Sequence, residues 1–117
     1  AVIGIWRKQI EEGKDITIIS DGEQRRDFTY VDDICDALYK IGTNDKKHED
    51  AWELGTGMNY SINEVYGFFK ERFEHIEKVH LPDVAGNYRQ TLRENDDTLE
   101  RLDWAPTDRL KEYILSL

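Results

Sequence analysis

The sequence predicts an α/β protein, in the form of a small α+β domain in which short strands and amphipathic helices follow one another. Two observations predict this class. Apolar residues recur at helical spacing in several separate stretches, and short β-branched runs bounded by turn residues lie between them. The chain of 117 residues, 38% hydrophobic and 35% charged, is long enough for one domain with a modest core.

The first two elements are predicted directly from residue spacing. Residues 1–12 carry apolar side chains on one helical face, and Gly13 provides a helix stop. Residues 15–20 are short and β-branched, which favours a strand that runs into a turn at Asp21 and Gly22. The chain therefore opens with a helix, a strand and a tight reversal.

The run from Gly22 to Asp33 contains the densest set of functional signals. Residues 27–31 alternate between polar and apolar types, which predicts a half-buried strand with a basic pair at its start. Asp32 and Asp33 then begin a helix, because carboxylates there bind free N–H groups and complement the helix dipole. Gly42 is predicted to end that helix.

The remaining elements follow from the same signals. Ser61 and Glu64 form a capping box, which marks a helix start. The segment between Thr43 and Asp50 is polar and predicts a surface loop. Downstream, the sequence predicts a strand at 51–54, a helix at 61–73, a strand at 77–81, a short helix from Asn95 or Asp96 to 102, and a last helix from Thr107.

Composition excludes several classes of function. The net charge of −9 repels phosphate backbones, so nucleic-acid binding is disfavoured. The absence of a membrane-length apolar run and of a signal-peptide pattern predicts a cytoplasmic protein with no membrane partner. Cys35, the single cysteine, is predicted to be a small buried apolar residue. His48, His75 and His80 share no motif, so no metal site is predicted.

The glycines at Gly55 and Gly57 resemble the start of a dinucleotide-binding loop. The third glycine of that fingerprint would fall at Tyr60, and no strand ends at an acidic residue about 20 positions later. We therefore interpret the run as an ordinary loop.

Arg26, next to Arg25, is the leading candidate for contact with an anion. A guanidinium held at the end of a strand can direct its planar fork at a phosphate or carboxylate with little loss of entropy. The residue types equally allow a structural alternative, in which Arg26 pairs with Asp27, Asp32 or Asp33 and ties the strand to the helix.

This run resembles the Gly-x-x-x-Arg-Asp-Phe-x-x-Val-x-Asp segment of extended short-chain dehydrogenase/reductases, the nucleotide-sugar epimerases and dehydratases. The similarity extends to Glu53-Leu-Gly-Thr-Gly57 and Leu102-x-Trp104-x-Pro106, so it covers nearly the whole chain. Within the group, Pro82-Asp83 followed by Gly86-Asn-Tyr88 and Gln90 is most similar to ADP-glyceromannoheptose 6-epimerases, apart from the inserted Arg89.

The resemblance implies a set of substrate-binding residues. It implies that Arg26 binds the diphosphate of a nucleotide-diphosphate sugar, and that Tyr88 stacks or bonds near the nucleotide. Arg89 is a hypothetical substitute for a second phosphate-binding arginine of the family. The residues implied to line the nucleotide pocket, largely through backbone groups, are Ile18, Ile19, Ser20 and Asp21.

The resemblance also implies what lies outside this chain. The NAD or NADP cofactor and the catalytic Tyr-x-x-x-Lys pair belong to an N-terminal Rossmann domain. This C-terminal fragment is therefore expected to bind no cofactor alone and to contain no catalytic residue. Tyr66 and Lys70 have the spacing of that pair, but Tyr66 lies on the apolar stripe of its helix, so we interpret the match as coincidental.

Residues 32–55 are expected, by the same resemblance, to pack on the Rossmann sheet that this chain lacks. Ile34, Leu38, Ile41 and Trp52 would then expose apolar faces, which favours self-association. Two hypotheses remain: the substrate-binding portion of a nucleotide-sugar epimerase or dehydratase, and a noncatalytic acidic interaction module in which Arg25 and Arg26 brace the fold.

Overall fold

The fold is described from a computed structural model, for residues 2–43, 51–94 and 96–117. The predicted loop after Thr43 and the predicted capping role of Asn95 fall largely or wholly outside these ranges, as does His48. The order of elements is α1 (Val2–Glu11), β1 (Ile16–Ile19), β2 (Arg25–Arg26), α2 (Val31–Thr43), β3 (Tyr60–Ser61), α3 (Ile62–Arg72), β4 (Lys78–Leu81), α4 (Asp97–Leu102) and α5 (Leu110–Leu115).

The strands pair into two short sheets within the described residues. β1 runs parallel to β4, with Ile16 opposite Lys78 and Ile19 opposite Leu81. β2 runs antiparallel to β3, with Arg25 opposite Ser61. The predicted mixture of helices and short strands is confirmed.

The main core lies where α1, α3 and α5 pack with β1. Ile16 and Ile18 are fully buried, as strand alternation requires. The indole Nε1 of Trp6 donates to the Thr17 carbonyl at 2.8 Å, which fixes α1 against the strand. The other buried members of this core are Ile62, Val65, Phe69, Ile76, Leu110 and Ile114.

A second, smaller apolar cluster forms between α2 and the segment after α4. It contains Ala37, Leu102 and Trp104. The Trp104 Nε1 donates to the Asp33 carbonyl at 2.8 Å, which ties this cluster to the first turn of α2.

The capping box of α3 is confirmed. The Glu64 backbone N–H donates to the Ser61 hydroxyl at 3.0 Å, and the Glu64 carboxylate accepts from the Ser61 N–H at 2.8 Å. These reciprocal bonds satisfy N–H groups that a helix start otherwise leaves unpaired. The apolar stripe that follows the box is buried, as predicted.

Two predicted strands are wrong. Residues 27–30 have no regular structure and Val31 already belongs to α2, because the Asp27 N–H donates to the Thr91 hydroxyl at 3.2 Å instead of to a neighbouring strand. The strand lies just upstream, at Arg25–Arg26. Residues 51–54 are not a strand either, since no described strand lies beside them to complete a ladder.

The last helix begins later than predicted, at Leu110 instead of Thr107. The Thr107 N–H donates to the Asp33 carboxylate at 3.3 Å, and the Leu110 N–H donates to the Asp108 carboxylate at 3.3 Å. These side-chain bonds hold the residues after Pro106 in an extended link.

The prediction of a buried Cys35 is also wrong, because Cys35 is exposed. α2 turns Ala37 into the second cluster, and the helical spacing therefore places Cys35 on the opposite side. Leu38 and Tyr39 are exposed to 56% and 70%. α2 thus presents an apolar outer surface. Within the described residues, no helix has the length and apolar content that a bilayer crossing requires.

Ser20, at the end of β1, has a positive φ of 58°, which costs an L-residue about 1 kcal/mol or more. We expect Ser20→Gly to raise the free energy of unfolding by roughly 0.5–1 kcal/mol, measured by urea denaturation. Ser116, with a φ of −84°, is the matched control, and Ser116→Gly should bring no gain. A loss of stability in Ser20→Gly equal to that in the control would contradict the strain.

Candidate functional site

A cavity of about 490 Å³ lies between α1, β2 and the segment 84–91. Gln24, Arg26 and Phe28 all line it. These positions alternate along the chain, so the side of β2 that carries Arg26 faces the cavity. Ile19, at the end of β1, forms part of another wall.

Arg26 is half-buried and is held by neutral groups. Its Nη1 donates to the Arg25 carbonyl at 2.8 Å, and its Nη2 donates to the Asn87 side-chain oxygen at 2.8 Å. Among the described residues, Arg26 has no carboxylate within ion-pair distance. The positive charge therefore remains uncompensated, and the guanidinium keeps N–H groups for a further partner.

The described lining of the cavity contains one charged group of each sign. Of the described residues that line it, Arg26 is the only cation and Asp27 the only acid. The carboxylate of Asp27 is directed to the loop at Thr56 and Gly57, where backbone N–H groups donate to it at 3.0 and 3.1 Å. Since backbone N–H groups hold that carboxylate, the Arg26 guanidinium is the group in the lining that can bind an anion, although the whole chain carries a net charge of −9.

Arg25 has a different environment from Arg26. Its Nε donates to the Asn59 side chain at 2.9 Å, and its Nη2 lies 3.3 Å from the Glu64 carboxylate. Arg25 therefore braces β2 against the start of α3. Arg26 forms none of the ion pairs with Asp27, Asp32 or Asp33 that the structural alternative predicts.

The segment 84–91 is attached to β2 and closes one side of the cavity. The Arg25 N–H donates to the Arg89 carbonyl at 2.8 Å, and the Thr91 N–H donates to the Arg25 carbonyl at 3.0 Å. Asn87 adds the side-chain bond to Arg26. The predicted site residues near positions 26 and 88 are therefore brought to one region.

The predicted nucleotide-pocket residues are placed unequally. Ile19 lines the cavity. Ile18 is fully buried in the main core, so only its backbone is available to a ligand. The Ser20 carbonyl lies 2.7 Å from His80 Nδ1. Tyr88 is 73% exposed and stands at the surface, next to Asn87 in the chain.

Asp21 and Arg89 form an exposed pair with each other. The Arg89 guanidinium donates both Nη groups to the Asp21 carboxylate, at 2.9 and 3.2 Å. Bonds from Arg89 and from the Glu23 N–H lower the pKa of Asp21, and Asp21 raises the pKa of Arg89. A phosphate role for Arg89 therefore requires exchange of this carboxylate for the ligand.

Asp27 joins separate parts of the chain beside the cavity. In addition to Thr56 and Gly57, its carboxylate accepts the Thr56 hydroxyl at 2.7 Å and the Arg93 N–H at 3.1 Å. Burial by itself raises the pKa of Asp27, but these hydrogen bonds outweigh it and hold the pKa below the ordinary value of 3.8. Asp27 therefore fixes the backbone that carries Arg26.

Sequence reasoning missed Arg93, which is buried. Its Nε donates to the Gly55 carbonyl at 2.8 Å, and its Nη1 pairs with Asp96. A Cβ at Gly55 would lie 2.7 Å from the Asp27 carboxylate, and one at Gly57 would lie 2.6 Å from the Arg93 guanidinium. The glycines make room for these side chains, which explains the run without a bound phosphate.

Tyr66 and Lys70 bind one backbone group. The Tyr66 hydroxyl and the Lys70 Nζ lie 3.4 and 2.6 Å from the Ile76 carbonyl. Burial, followed by the charge of Glu77, raises the pKa of Tyr66, the reverse of what proton abstraction at neutral pH requires. Both side chains support the turn after α3.

Comparison with known proteins supplies the wider context. Residues 1–55 match the model of the NAD dependent epimerase/dehydratase family. The chain is 26% identical over 114 residues to a UDP-glucose 4-epimerase of Mycolicibacterium smegmatis, covering 97% of this chain and 36% of that protein. It is 31% identical over 103 residues to a CDP-abequose synthase of Salmonella muenchen, covering 84% of this chain and 34% of that protein.

The fold is likewise similar to that of solved relatives. UDP-glucuronic acid 4-epimerase from Bacillus cereus, in complex with UDP-glucuronic acid and NAD, aligns with a TM-score of 0.88 and 26% identity. The alignment covers 97% of this chain and 37% of that one. The chain therefore spans about a third of the length of the relatives that it matches.

The Asp27 junction can be tested by Asp27→Asn. This change puts an N–H donor against N–H donors, and we expect it to lower the free energy of unfolding at neutral pH by about 3 kcal/mol in urea denaturation. Because the pKa of Asp27 is lowered by folding, its contribution is present above pH 3.8 and is lost as the pH falls through the lowered pKa.

Asp32→Asn is the charge-matched control, since Asp32 is an exposed acid and should change stability by only about 0.5 kcal/mol. The deficit of Asp27→Asn should shrink below pH 3.8. A deficit that is equal in the two variants, or that does not depend on pH, would contradict the role of Asp27.

Proposed function

We propose that this chain belongs to the NAD-dependent epimerase/dehydratase family, whose model matches residues 1–55, and that it forms the substrate-binding portion of a nucleotide-sugar epimerase or dehydratase. The observation that carries the proposal is Arg26, a half-buried guanidinium with no carboxylate partner among the described residues, in a cavity of about 490 Å³. In this role Arg26 binds the diphosphate of the nucleotide sugar.

The electrostatics of the chain support this role. Acids outnumber lysines and arginines by 25 to 16, so an arginine with only neutral partners is unusual for its surroundings. Taking a guanidinium partly out of water costs free energy that an anion can offset. A charge-assisted bond to a phosphate is worth about 1.5–3 kcal/mol. The diphosphate is the part of a nucleotide sugar that supplies such an anion.

The nucleotide is assigned to the same cavity. Ile19 lines it, and the backbone of Ile18, Ser20 and Asp21 continues from that wall. Tyr88 follows Asn87 in the chain, has 73% of its surface exposed and is assigned a contact with the nucleotide. Arg89 is assigned a second phosphate contact, which it would form by releasing the Asp21 carboxylate.

The base and the sugar are a finer question. An ADP-heptose type of substrate is supported by the run from Pro82 to Gln90 alone. The names of the relatives instead specify a UDP-sugar and a CDP-sugar, and that of the solved relative specifies UDP-glucuronic acid. A panel of nucleotide sugars with different bases is therefore the appropriate set of ligands.

Cofactor and chemistry are assigned to the larger protein. The solved relative was determined with NAD, and the matching region is about a third of its length. We propose that NAD or NADP and the proton-transferring tyrosine lie in a Rossmann domain outside these 117 residues. The contribution of this chain is then to bind and orient substrate.

The outer surface of α2 is proposed to contact that domain. Leu38 and Tyr39 are exposed there, while Ile34 and Ile41 are half-buried, as is Trp52. An apolar helix face of this kind is stabilised by a covering surface. In the isolated chain, a second copy of the chain can cover the exposed apolar side of α2.

Within the described residues, the contacts of Arg26 do not favour the second hypothesis, an acidic interaction module braced by both arginines. Arg25 does brace the fold through Asn59 and Glu64. Arg26, however, is directed into the cavity and binds only neutral oxygens.

The anion role of Arg26 can be tested by titration of UDP-, CDP-, GDP- and ADP-sugars, followed by NMR chemical shifts. We expect saturable binding of at least one ligand, and Arg26→Ala should weaken it by roughly 10- to 100-fold, the loss of one charge-assisted bond. Arg25→Ala is the matched control, because it removes the same charge from the adjacent residue on the other face.

Arg25→Ala should weaken binding by less than about 3-fold, because it removes a nearby positive charge but no direct contact with the ligand. Thermal unfolding of each variant checks that it is folded. Equal losses in the two variants, or no saturable binding to the wild-type chain, would contradict the proposal.

Self-association through α2 can be tested by sedimentation velocity over a range of concentrations. We expect the wild-type chain to associate as concentration rises, and Leu38→Glu to suppress this, since a charge in an apolar interface is costly. Met58→Glu is the control, because Met58 is 54% exposed, close to the 56% of Leu38. A wild-type monomer at every concentration would overturn this expectation.

A further inference from the structure

We propose that Asn87 is a positioning residue that orients the Arg26 guanidinium while leaving its charge available to an anion. The inference rests on the proposed function and deepens it. It assigns a specific task to the segment 84–91, namely to hold the cation of the cavity with a neutral oxygen.

The contacts of Arg26 define its orientation from two sides. The Arg25 carbonyl accepts from Nη1 and the Asn87 Oδ1 accepts from Nη2, each at 2.8 Å. Two bonds to a planar group fix both its position and its plane. Since one acceptor belongs to the adjacent residue of the backbone, the direction of the fork is decided by the other, Asn87.

Asp83 in turn decides the orientation of Asn87. The Asp83 carboxylate accepts from the Asn87 Nδ2 at 2.8 Å and from the Val84 N–H at 2.9 Å. With its nitrogen bound to Asp83, the amide must present its oxygen to Arg26. The assignment of the amide atoms is therefore supported by both neighbours.

The backbone of this segment holds Asn87 in place. Its N–H donates to the Val84 carbonyl at 3.3 Å, which closes a turn in which Gly86 has a φ of +82°. That geometry is the one in which the third position of a turn requires glycine. The turn between Asp83 and Asn87 thus places the Asn87 amide oxygen at Arg26. The Asp83 carboxylate binds the other end of the same amide and does not contact Arg26 directly.

A neutral acceptor has a different consequence from a charged one. A carboxylate in the place of Asn87 would bind Arg26 more strongly, but it would cancel the positive charge that an anionic ligand needs. The exposed arginine of this region, Arg89, illustrates the cost, since Asp21 already occupies its guanidinium. The Asn87 amide therefore orients the Arg26 guanidinium without neutralising its positive charge.

The experiment exchanges the two side chains. The double variant Asp83→Asn with Asn87→Asp keeps the composition and the net charge, and it keeps an amide-to-carboxylate bond within the loop. It moves the carboxylate onto Arg26. UDP-glucose is the probe, with affinity measured by NMR titration at several salt concentrations, because its diphosphate charge is constant near neutral pH.

We expect the exchange to weaken UDP-glucose binding at least 10-fold and to flatten its salt dependence, while the temperature of unfolding stays near that of the wild-type chain. Asn87→Ala, which removes the orienting bond without adding charge, should weaken binding by a smaller factor and retain the salt dependence. Asp83→Asn alone, which leaves a neutral group at Arg26 but weakens the bond that orients Asn87, should weaken binding by less than the exchange does and retain the salt dependence.

Affinity and salt dependence unchanged in the exchanged variant would overturn the role of Asn87, because a purely structural asparagine would tolerate a swap that preserves the loop bond. If Arg26→Ala still weakens binding in that case, the proposed function stands and only this inference fails. If Arg26→Ala has no effect, or the wild-type chain binds none of the UDP-, CDP-, GDP- and ADP-sugars, both fail.

Discussion

The Asp27 carboxylate is the interaction on which the rest of this structure depends. It gathers N–H groups from Thr56, Gly57 and Arg93, residues that are far from it in the chain. A buried carboxylate needs several donors to remain charged, so these segments must meet at one point. Because Arg26 is the neighbouring residue, the same junction sets the position of the guanidinium in the cavity.

The arginines near this junction have distinct tasks that follow from their partners. Arg25 braces β2 against α3 through Glu64, and Arg93 is buried against the Gly55 carbonyl. Arg89 is exposed and paired with an acid. Only Arg26, among these, is held by neutral oxygens alone. Charge that a fold leaves uncompensated in a concave site is a physical indication of an anionic ligand.

The two apolar clusters of the domain differ in size and in how fully their helices are covered. The main core encloses Trp6 and Phe69 fully. The second cluster is small and leaves one side of α2 exposed, including Leu38. Relatives that are about three times as long as the matched region provide the context for this difference, since an apolar helix face is stable when another surface covers it.

The sequence by itself determined the features that depend on neighbouring residues. The capping box at Ser61 needs only residues three apart, and the Arg26-Asp27 run carried both the family resemblance and the candidate anion contact. Tertiary structure alone decided what depends on distant partners. Asp27 lies outside a strand because its N–H donates to the distant Thr91 hydroxyl, and Cys35 is exposed because α2 packs through its other side. Arg93 and Asn87 acquire their roles only through folding, since hydrogen bonds between remote segments leave no periodic signal in a sequence.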